Sequence, residues 1–137
     1  MGTNNTKQLI TPLAPNKLVI YFGFINDFKV ESLINTLSVE EKERVHQFRF
    51  QNDKELFITS RAFLRKLLAH YLEKNPKDIL FEYNINGKPF VKEAKKIQFN
   101  LAHSGEVMLI GFVLNDEIGV DIEDLKRHVD VDKISNF

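Results

Sequence analysis

The spacing of apolar residues divides the chain into a part with helical periodicity and a later part with short, strand-like runs. Residues 18–25 form a nearly continuous run of β-branched, aromatic and aliphatic side chains, which predicts a buried strand. Apolar residues recur at three- and four-residue steps from Asp53 to about Lys74 and predict a long helix, which Pro76 prevents from continuing. Later runs predict strands at residues 79–83, 97–101, 107–114 and 117–122. We therefore expect an α+β fold in which helices pack on a small antiparallel sheet.

Three short sequences predict where elements begin or reverse. Ser38, followed three residues later by Glu41, has the layout of a capping box and predicts a helix that runs to about Arg49. Asn86-Gly87 is a strong turn signal between two strand-like segments. Asn115-Asp116 predicts a tight turn, so we expect the last two strands to form a hairpin.

Composition narrows the class of protein. The chain has 137 residues, of which 43% are hydrophobic and 28% are charged, as expected for one folded domain. No apolar run approaches the roughly 18 residues that a membrane span needs. The absence of cysteine excludes disulfide scaffolds, thiolate zinc sites and thiol nucleophiles, and it suits a cytoplasmic protein.

Charge is unevenly distributed, although the net charge is zero. Residues 1–100 contain 16 Lys/Arg and 11 Asp/Glu, whereas residues 101–137 contain 3 and 8. This pattern indicates either an anionic ligand on the first part and a cation or a self-docking site on the second, or solvated faces that differ. On the long helix, Lys54, Arg61 and Arg65 fall on a different stripe from the apolar residues. A pI near 6.9 argues against a dedicated nucleic-acid binder.

Gly119-Val120-Asp121-Ile122-Glu123 places two acidic residues two positions apart on a predicted strand. Side chains two apart on a strand share a face, so the carboxylates of Asp121 and Glu123 would project together. Oxygen ligands of this kind suit Mg²⁺, which takes its other ligands from water and substrate phosphates. The alternative is a strand end with solvated acids.

Two turns offer groups for binding phosphate. Phe99-Asn100-Leu101-Ala102-His103-Ser104-Gly105 ends a strand with an imidazole, a hydroxyl and turn amides. A hydrolase triad that uses Ser104 and His103 is disfavoured, because adjacent side chains diverge on an extended chain and no G-x-S-x-G elbow is present. Asn86-Gly87-Lys88-Pro89 presents Lys88 at a turn tip, where it contacts either a ligand or only solvent. Taken alone, both turns also fit purely structural roles.

In order, the chain contains the motifs E-E-K-E-R, D-x-x-x-F-x-x-x-R-x-x-x-R, N-G-K-P, F-N-L-A-H-S-G and G-V-D-I-E. From about Leu18 onward it resembles the 4′-phosphopantetheinyl transferases of the larger, surfactin-synthetase-activating type. The resemblance implies one lobe of a two-lobed fold. It also implies transfer of the 4′-phosphopantetheine group from coenzyme A to a serine of an apo acyl or peptidyl carrier protein, with release of adenosine 3′,5′-bisphosphate. No membrane or nucleic-acid partner is expected.

The resemblance also assigns roles to particular residues. Asp121 and Glu123 match the Mg²⁺ ligands, and His103 matches the histidine that contacts coenzyme A phosphates. Lys88 and Pro89 match the turn that lines the adenine end. Arg44 falls where the family has a basic residue near the 3′-phosphate.

Two departures from the family pattern stand out. Ala102 replaces the usual Ser or Thr before the motif histidine. The second-half motif W-x-x-K-E-x-x-x-K, whose Glu is the family's base, does not occur in these residues, so we assign no catalytic residue and expect the chain alone to be inactive. We expect a flexible leader (1–16), an N-terminal transferase lobe (17–123) and the start of a linker helix (124–137) to a missing second lobe.

A homodimer or a complementing C-terminal half is the expected protein partner beside the carrier. Two other classes stay open. The chain is alternatively a non-catalytic coenzyme A-binding or protein-docking module, or a small α+β domain without a ligand.

Overall fold

The computed structural model describes residues 10–114 and 128–134. Its strands are β1 (Lys17–Phe24), β2 (Phe81–Tyr83), β3 (Pro89–Val91), β4 (Ile97–Ser104), β5 (Val107–Leu114) and β6 (His128–Lys133). Its helices are α1 (Val30–Leu33), α2 (Val39–Val45) and α3 (Gln51–Leu72), with short 3₁₀ turns at Ile25–Asp27, Ile34–Thr36, Pro76–Asp78 and Lys92–Ala94. Within these described ranges, none of the helices is both long and apolar enough to cross a bilayer.

The strands form one sheet of four and one of two. The larger sheet has the order β4-β5-β1-β6, with β1 antiparallel to β5 and parallel to β6. β2 and β3 form a separate antiparallel pair. The α+β fold class predicted from the sequence is confirmed, and the larger sheet is antiparallel except where β6 joins β1.

Helix α3 packs on one face of the larger sheet. β1 and β5 direct fully buried side chains toward it, including Tyr21 and Phe112. The ring of Tyr71 on α3 meets the ring of Phe112 edge to face, with 5.3 Å between the centroids. The long, amphipathic helix thus buries the face of the sheet that the alternating strand residues make apolar.

Helix α2 begins as its sequence predicts. The Ser38 hydroxyl accepts a hydrogen bond from the Glu41 backbone N–H at 3.2 Å, and the Ser38 N–H donates to Glu41 Oε1 at 2.9 Å. The capping box is therefore confirmed. The helix ends at Val45, four residues before the predicted end at Arg49.

Residues 10–16, predicted as part of a flexible leader, are attached to the core. Ile10 and Leu13 pack against it. The Thr11 N–H donates to the Tyr21 hydroxyl at 3.1 Å, the two tyrosine hydroxyls lie 2.7 Å apart, and the Tyr71 hydroxyl donates to the Thr11 carbonyl at 2.7 Å. Burial raises the pKa of both tyrosines, so they stay protonated donors in this closed ring of hydrogen bonds. Residues 1–9 lie outside the described part.

The predicted linker helix at 124–137 is wrong over residues 128–133, which form strand β6. Val129-Asp130-Val131-Asp132 alternates β-branched and polar residues, which is the period of a strand. Lys17 pairs with Asp130 at 3.0 Å, and the Thr11 hydroxyl donates to Asp132.

The predicted turn at 115–116 and strand at 117–122 lie outside the described residues. β1 and β4 occupy both edges of β5, so β5 has no free edge for a hairpin partner.

Candidate functional site

An open pocket of about 330 Å³ lies where the first turns of α3 meet the end of β4. Apolar side chains form most of its wall, and three polar residues join them; the lining residues are Phe48, Asp53, Leu56, Phe57, Ser60, Leu101, Ala102 and His103. A mostly apolar pocket with a few polar groups is typical of a small-molecule site.

His103 reaches this pocket because of its place in β4. It lies opposite the fully buried Met108 on β5, and alternation along β4 puts Phe99, Leu101 and His103 on the face that packs against α3. The strand leaves the core at this point, so the His103 side chain is exposed at the pocket wall. A two-residue loop follows, and Gly105 adopts φ +59°, which favours glycine.

Ser60 contributes a hydroxyl to the same pocket from α3. Its Oγ lies 3.9 Å from the Met108 sulfur, a weak hydrogen-bond acceptor. On α3, Ser60 lies one helical turn after Leu56, which also lines the pocket. Ala102, which replaces the usual Ser or Thr of the family, also lines the pocket and has no hydroxyl. Ser60 supplies a hydroxyl to the same wall.

Arg44 adds a positive charge beside the pocket. Its guanidinium lies over the ring of Phe57, with 4.9 Å from Cζ to the ring centroid, and Phe57 is part of the pocket wall. Arg44 itself is exposed on α2, so its guanidinium is accessible to solvent beside this wall residue. His103 and Arg44, two of the residues selected from the sequence, therefore flank one pocket.

Lys88 and Pro89 lie on a different feature, the hairpin that joins β2 to β3. Asn84 holds the turn closed, because its Oδ1 accepts from the N–H groups of Asn86 and Lys88, both at 2.9 Å. Gly87 has φ +79° and donates to the Asn84 carbonyl at 2.9 Å. These bonds fix the backbone of the turn, and neither Lys88 nor Pro89 lines the pocket.

A buried ion cluster lies between α2, α3 and β2. Glu41 accepts from Arg61 Nη1 at 2.9 Å and from Arg65 Nε at 2.7 Å. Arg65 also donates to the carbonyls of Pro76 and Ile79, at 2.8 and 2.9 Å. Burial alone would raise the pKa of the Glu41 carboxyl. The hydrogen bonds from Arg65 and the Ser38 backbone and the two guanidinium charges outweigh burial and hold that pKa below its ordinary value.

Arg61 and Arg65 are site residues whose burial the sequence pattern missed. Both are less than a tenth exposed, although the helical stripe predicted them on a face apart from the apolar residues. Their guanidiniums also lie over the ring of Phe81, at 5.2 and 5.0 Å from its centroid. The D-x-x-x-F-x-x-x-R-x-x-x-R spacing was the available signal, since it puts Phe57, Arg61 and Arg65 one turn apart on the same side of α3.

Comparison with known proteins identifies the family. The family model described as "4'-phosphopantetheinyl transferase, N-terminal" matches residues 25–112, which include α2, α3, the pocket and the β2–β3 hairpin. The chain belongs to the 4′-phosphopantetheinyl transferase family. The resemblance seen in the sequence motifs is thereby confirmed.

Two curated transferases show the extent of the sequence similarity. A putative 4′-phosphopantetheinyl transferase of Synechocystis sp. is 42% identical over 89 residues, which are 64% of this chain and 36% of the relative. The 4′-phosphopantetheinyl transferase HetI of Nostoc sp. is 30% identical over 110 residues, which are 78% of this chain and 46% of the relative. The chain therefore spans less than half the length of these curated relatives.

A solved structure shares the transferase fold. It is a holo-(acyl-carrier-protein) synthase from Bacillus anthracis in complex with CoA (3′,5′-ADP), and it aligns with a TM-score of 0.54. The alignment covers 73% of this chain and 96% of that chain at 16% identity. At this level of identity the similarity concerns the fold alone.

The metal ligands predicted for the transferase, Asp121 and Glu123, lie outside the described residues. Within residues 10–114 and 128–134, no group of three or more His, Asp or Glu side chains is arranged to hold a metal ion. The magnesium site stays a prediction from the sequence.

Proposed function

We propose that this chain forms the coenzyme A-binding part of an enzyme that transfers 4′-phosphopantetheine to a serine of an acyl or peptidyl carrier protein. The observation that carries the proposal is the pocket at the end of β4. His103 and Ser60 line this pocket, Arg44 stacks on the wall residue Phe57, and all three lie within the segment that matches the family. An imidazole, a hydroxyl and a guanidinium are suitable donors to phosphate oxygens.

In the proposed reaction, the carrier serine oxygen forms a bond to the phosphorus that bears pantetheine. The bond from that phosphorus to the bridging oxygen breaks, and adenosine 3′,5′-bisphosphate leaves with the electron pair. The serine proton passes to a base. His103 and Arg44 hold the phosphates in this scheme, while Lys88 and Pro89 line the adenine end. Positioning and charge stabilisation of this kind dominate catalysis of phosphoryl-type transfers.

Asp121 and Glu123 are proposed as magnesium ligands. On the strand that the sequence predicts, the two carboxylates would share a face and favour a hard divalent cation. Bound Mg²⁺ would supply charge neutralisation at the pyrophosphate. We further propose that the protein acts in the cytoplasm, which the absence of cysteine suits.

A second protein half is proposed as the partner that completes the site. The base of the family lies in a K-E motif that these 137 residues do not contain. The face of the larger sheet opposite α3 exposes apolar side chains, among them Phe24 at 39%, Leu109 at 37% and Val131 at 57%. An apolar face of this kind suits contact with a complementing half, and a homodimer is the alternative.

A mass-shift assay tests the proposal. The chain is incubated with CoA, Mg²⁺ and an apo carrier protein, with and without a separate polypeptide that carries the K-E motif. We expect holo carrier only when the second polypeptide is present. Turnover by the chain alone would require another base, with Glu117 or Asp124 as nearest candidates. CoA binding without turnover in either mixture would favour the alternative, a non-catalytic binding module.

A further inference from the structure

Arg61, on α3, contacts two other elements of the fold, α2 and β2, from a buried position. It is 6% exposed, and its Nη1 donates to Glu41 Oε2 on α2 at 2.9 Å and to the Tyr83 hydroxyl on β2 at 3.1 Å. Its Cζ lies 5.3 Å from the ring centroid of Phe57 and 5.2 Å from that of Phe81. A planar guanidinium with five donors is the side chain that can stack on rings and donate in several directions together.

The partners of Arg61 belong to the two parts of the candidate site. Phe57 is a wall of the pocket that contains His103, and it also contacts Arg44. Phe81 and Tyr83 belong to β2, the strand that leads into the turn with Lys88. Tyr83 lies opposite Pro89 in the β2–β3 register. Arg61 therefore lies between the pocket and the hairpin and contacts both.

The orientation of Arg61 is set by the rest of the ion cluster. Glu41 is held by the Ser38 backbone and by Arg65, which is itself fixed by two backbone carbonyls. The carboxylate oxygen that receives Arg61 is thus fixed independently of Arg61. Tyr83 is 51% exposed, so burial does little to hold its ring, and the hydrogen bond from Arg61 is its specific tie to the core.

We propose that Arg61 is a positioning residue that sets the Lys88 turn against the His103 pocket through its hydrogen bond to Tyr83. The adenosine 3′,5′-bisphosphate part of coenzyme A would then be held at its phosphates by the pocket and at its purine by the turn. This inference rests on the proposed function, because it assumes that the pocket and the turn bind the same molecule.

Tyr83→Phe tests the inference, since it removes the hydroxyl and keeps an exposed ring. We expect CoA affinity, measured by calorimetry, to fall about 3- to 10-fold, the value of one hydrogen bond. In a Lys88→Ala background, Tyr83→Phe should lower CoA affinity less than about 2-fold, because the turn no longer carries the lysine. In a His103→Ala background, Tyr83→Phe should keep its full effect on CoA affinity, because it displaces only the turn. In NMR spectra, the Gly87 amide should shift on CoA addition in the wild type and shift less in Tyr83→Phe.

Tyr71→Phe is the matched control, because it removes a tyrosine hydroxyl that bonds Tyr21 and Thr11 away from the hairpin. It should lower the unfolding midpoint while CoA affinity stays within about 2-fold. Failure of the wild type to bind CoA would refute the proposed function. Two results would refute the positioning role and leave the proposed function standing. One is wild-type CoA binding together with an unchanged CoA affinity of Tyr83→Phe. The other is additive losses of CoA affinity from Tyr83→Phe and Lys88→Ala.

Discussion

Replacing Glu41 with glutamine removes the negative charge that two buried guanidiniums share. In the wild type, Oε1 accepts from the Ser38 N–H and from Arg65, and Oε2 accepts from Arg61. Glutamine keeps one acceptor oxygen and places an NH₂ group against an arginine donor. One hydrogen bond is lost, and two positive charges are left facing each other in a buried site.

The expected cost is about 3 kcal/mol or more, because removing one partner of a buried ion pair typically costs roughly 3–5 kcal/mol. The side chains involved are only 4–8% exposed, so solvent screens the loss little. For a domain with about 5–15 kcal/mol of total stability this is a large fraction. With a urea m-value of about 1–3 kcal/mol/M, the unfolding midpoint should fall by about 1–3 M.

Urea unfolding at several pH values measures the effect. The folded-state pKa of Glu41 lies below its ordinary value of 4.5, so its contribution is complete above that value and is lost as pH falls through the folded-state pKa. The difference between the wild type and Glu41→Gln should therefore be constant from pH 6 to 8 and shrink below about pH 4.5.

Glu43→Gln is the control, because Glu43 is exposed on the same helix. Its free energy of unfolding should match that of the wild type to within about 0.5 kcal/mol. Equal midpoints for the two variants, or a Glu41→Gln deficit that persists unchanged into acid, would refute the account of the ion cluster.

Three further predictions concern the ligand site and the hairpin. His103→Ala and Arg44→Ala should each weaken CoA binding more than dephospho-CoA binding. The expected difference is about 10-fold or more, the value of a charge-assisted hydrogen bond. An equal loss of affinity for the two ligands in calorimetry would contradict this. Asp121→Ala should reduce Mg²⁺-dependent CoA binding and spare binding measured with EDTA; equal losses would indicate a structural carboxylate. Gly87→Ala should destabilise by roughly 1–2 kcal/mol through its positive φ alone, since no atom lies within 4 Å of an added Cβ, and an unchanged thermal midpoint would show that the turn relaxes.

Local patterns predicted much of the fold. The capping box at Ser38 and Glu41 is formed as expected, and α3 extends over Gln51–Leu72, close to the predicted span. These features depend on neighbouring residues, which a single sequence displays directly. Strand β6 was missed, because a six-residue alternation is stabilised by pairing with β1 more than a hundred residues earlier.

The sequence predicted which residues contribute to the candidate site better than it predicted their burial and contacts. His103 and Arg44 were selected from motifs, and the structure places both beside one pocket. The buried state of Arg61 and Arg65 was not predictable from helical periodicity, which sends charged residues to solvent. Their burial depends on Glu41, about 20 residues away, which neutralises them.

Calorimetric titration of coenzyme A into the 137-residue chain, with and without Mg²⁺, tests the central claim most directly. We predict saturable binding that Mg²⁺ strengthens and that His103→Ala weakens about 10-fold or more without lowering the unfolding midpoint. Absence of measurable binding in both conditions, or binding that His103→Ala leaves unchanged, would contradict the assignment of this pocket to coenzyme A.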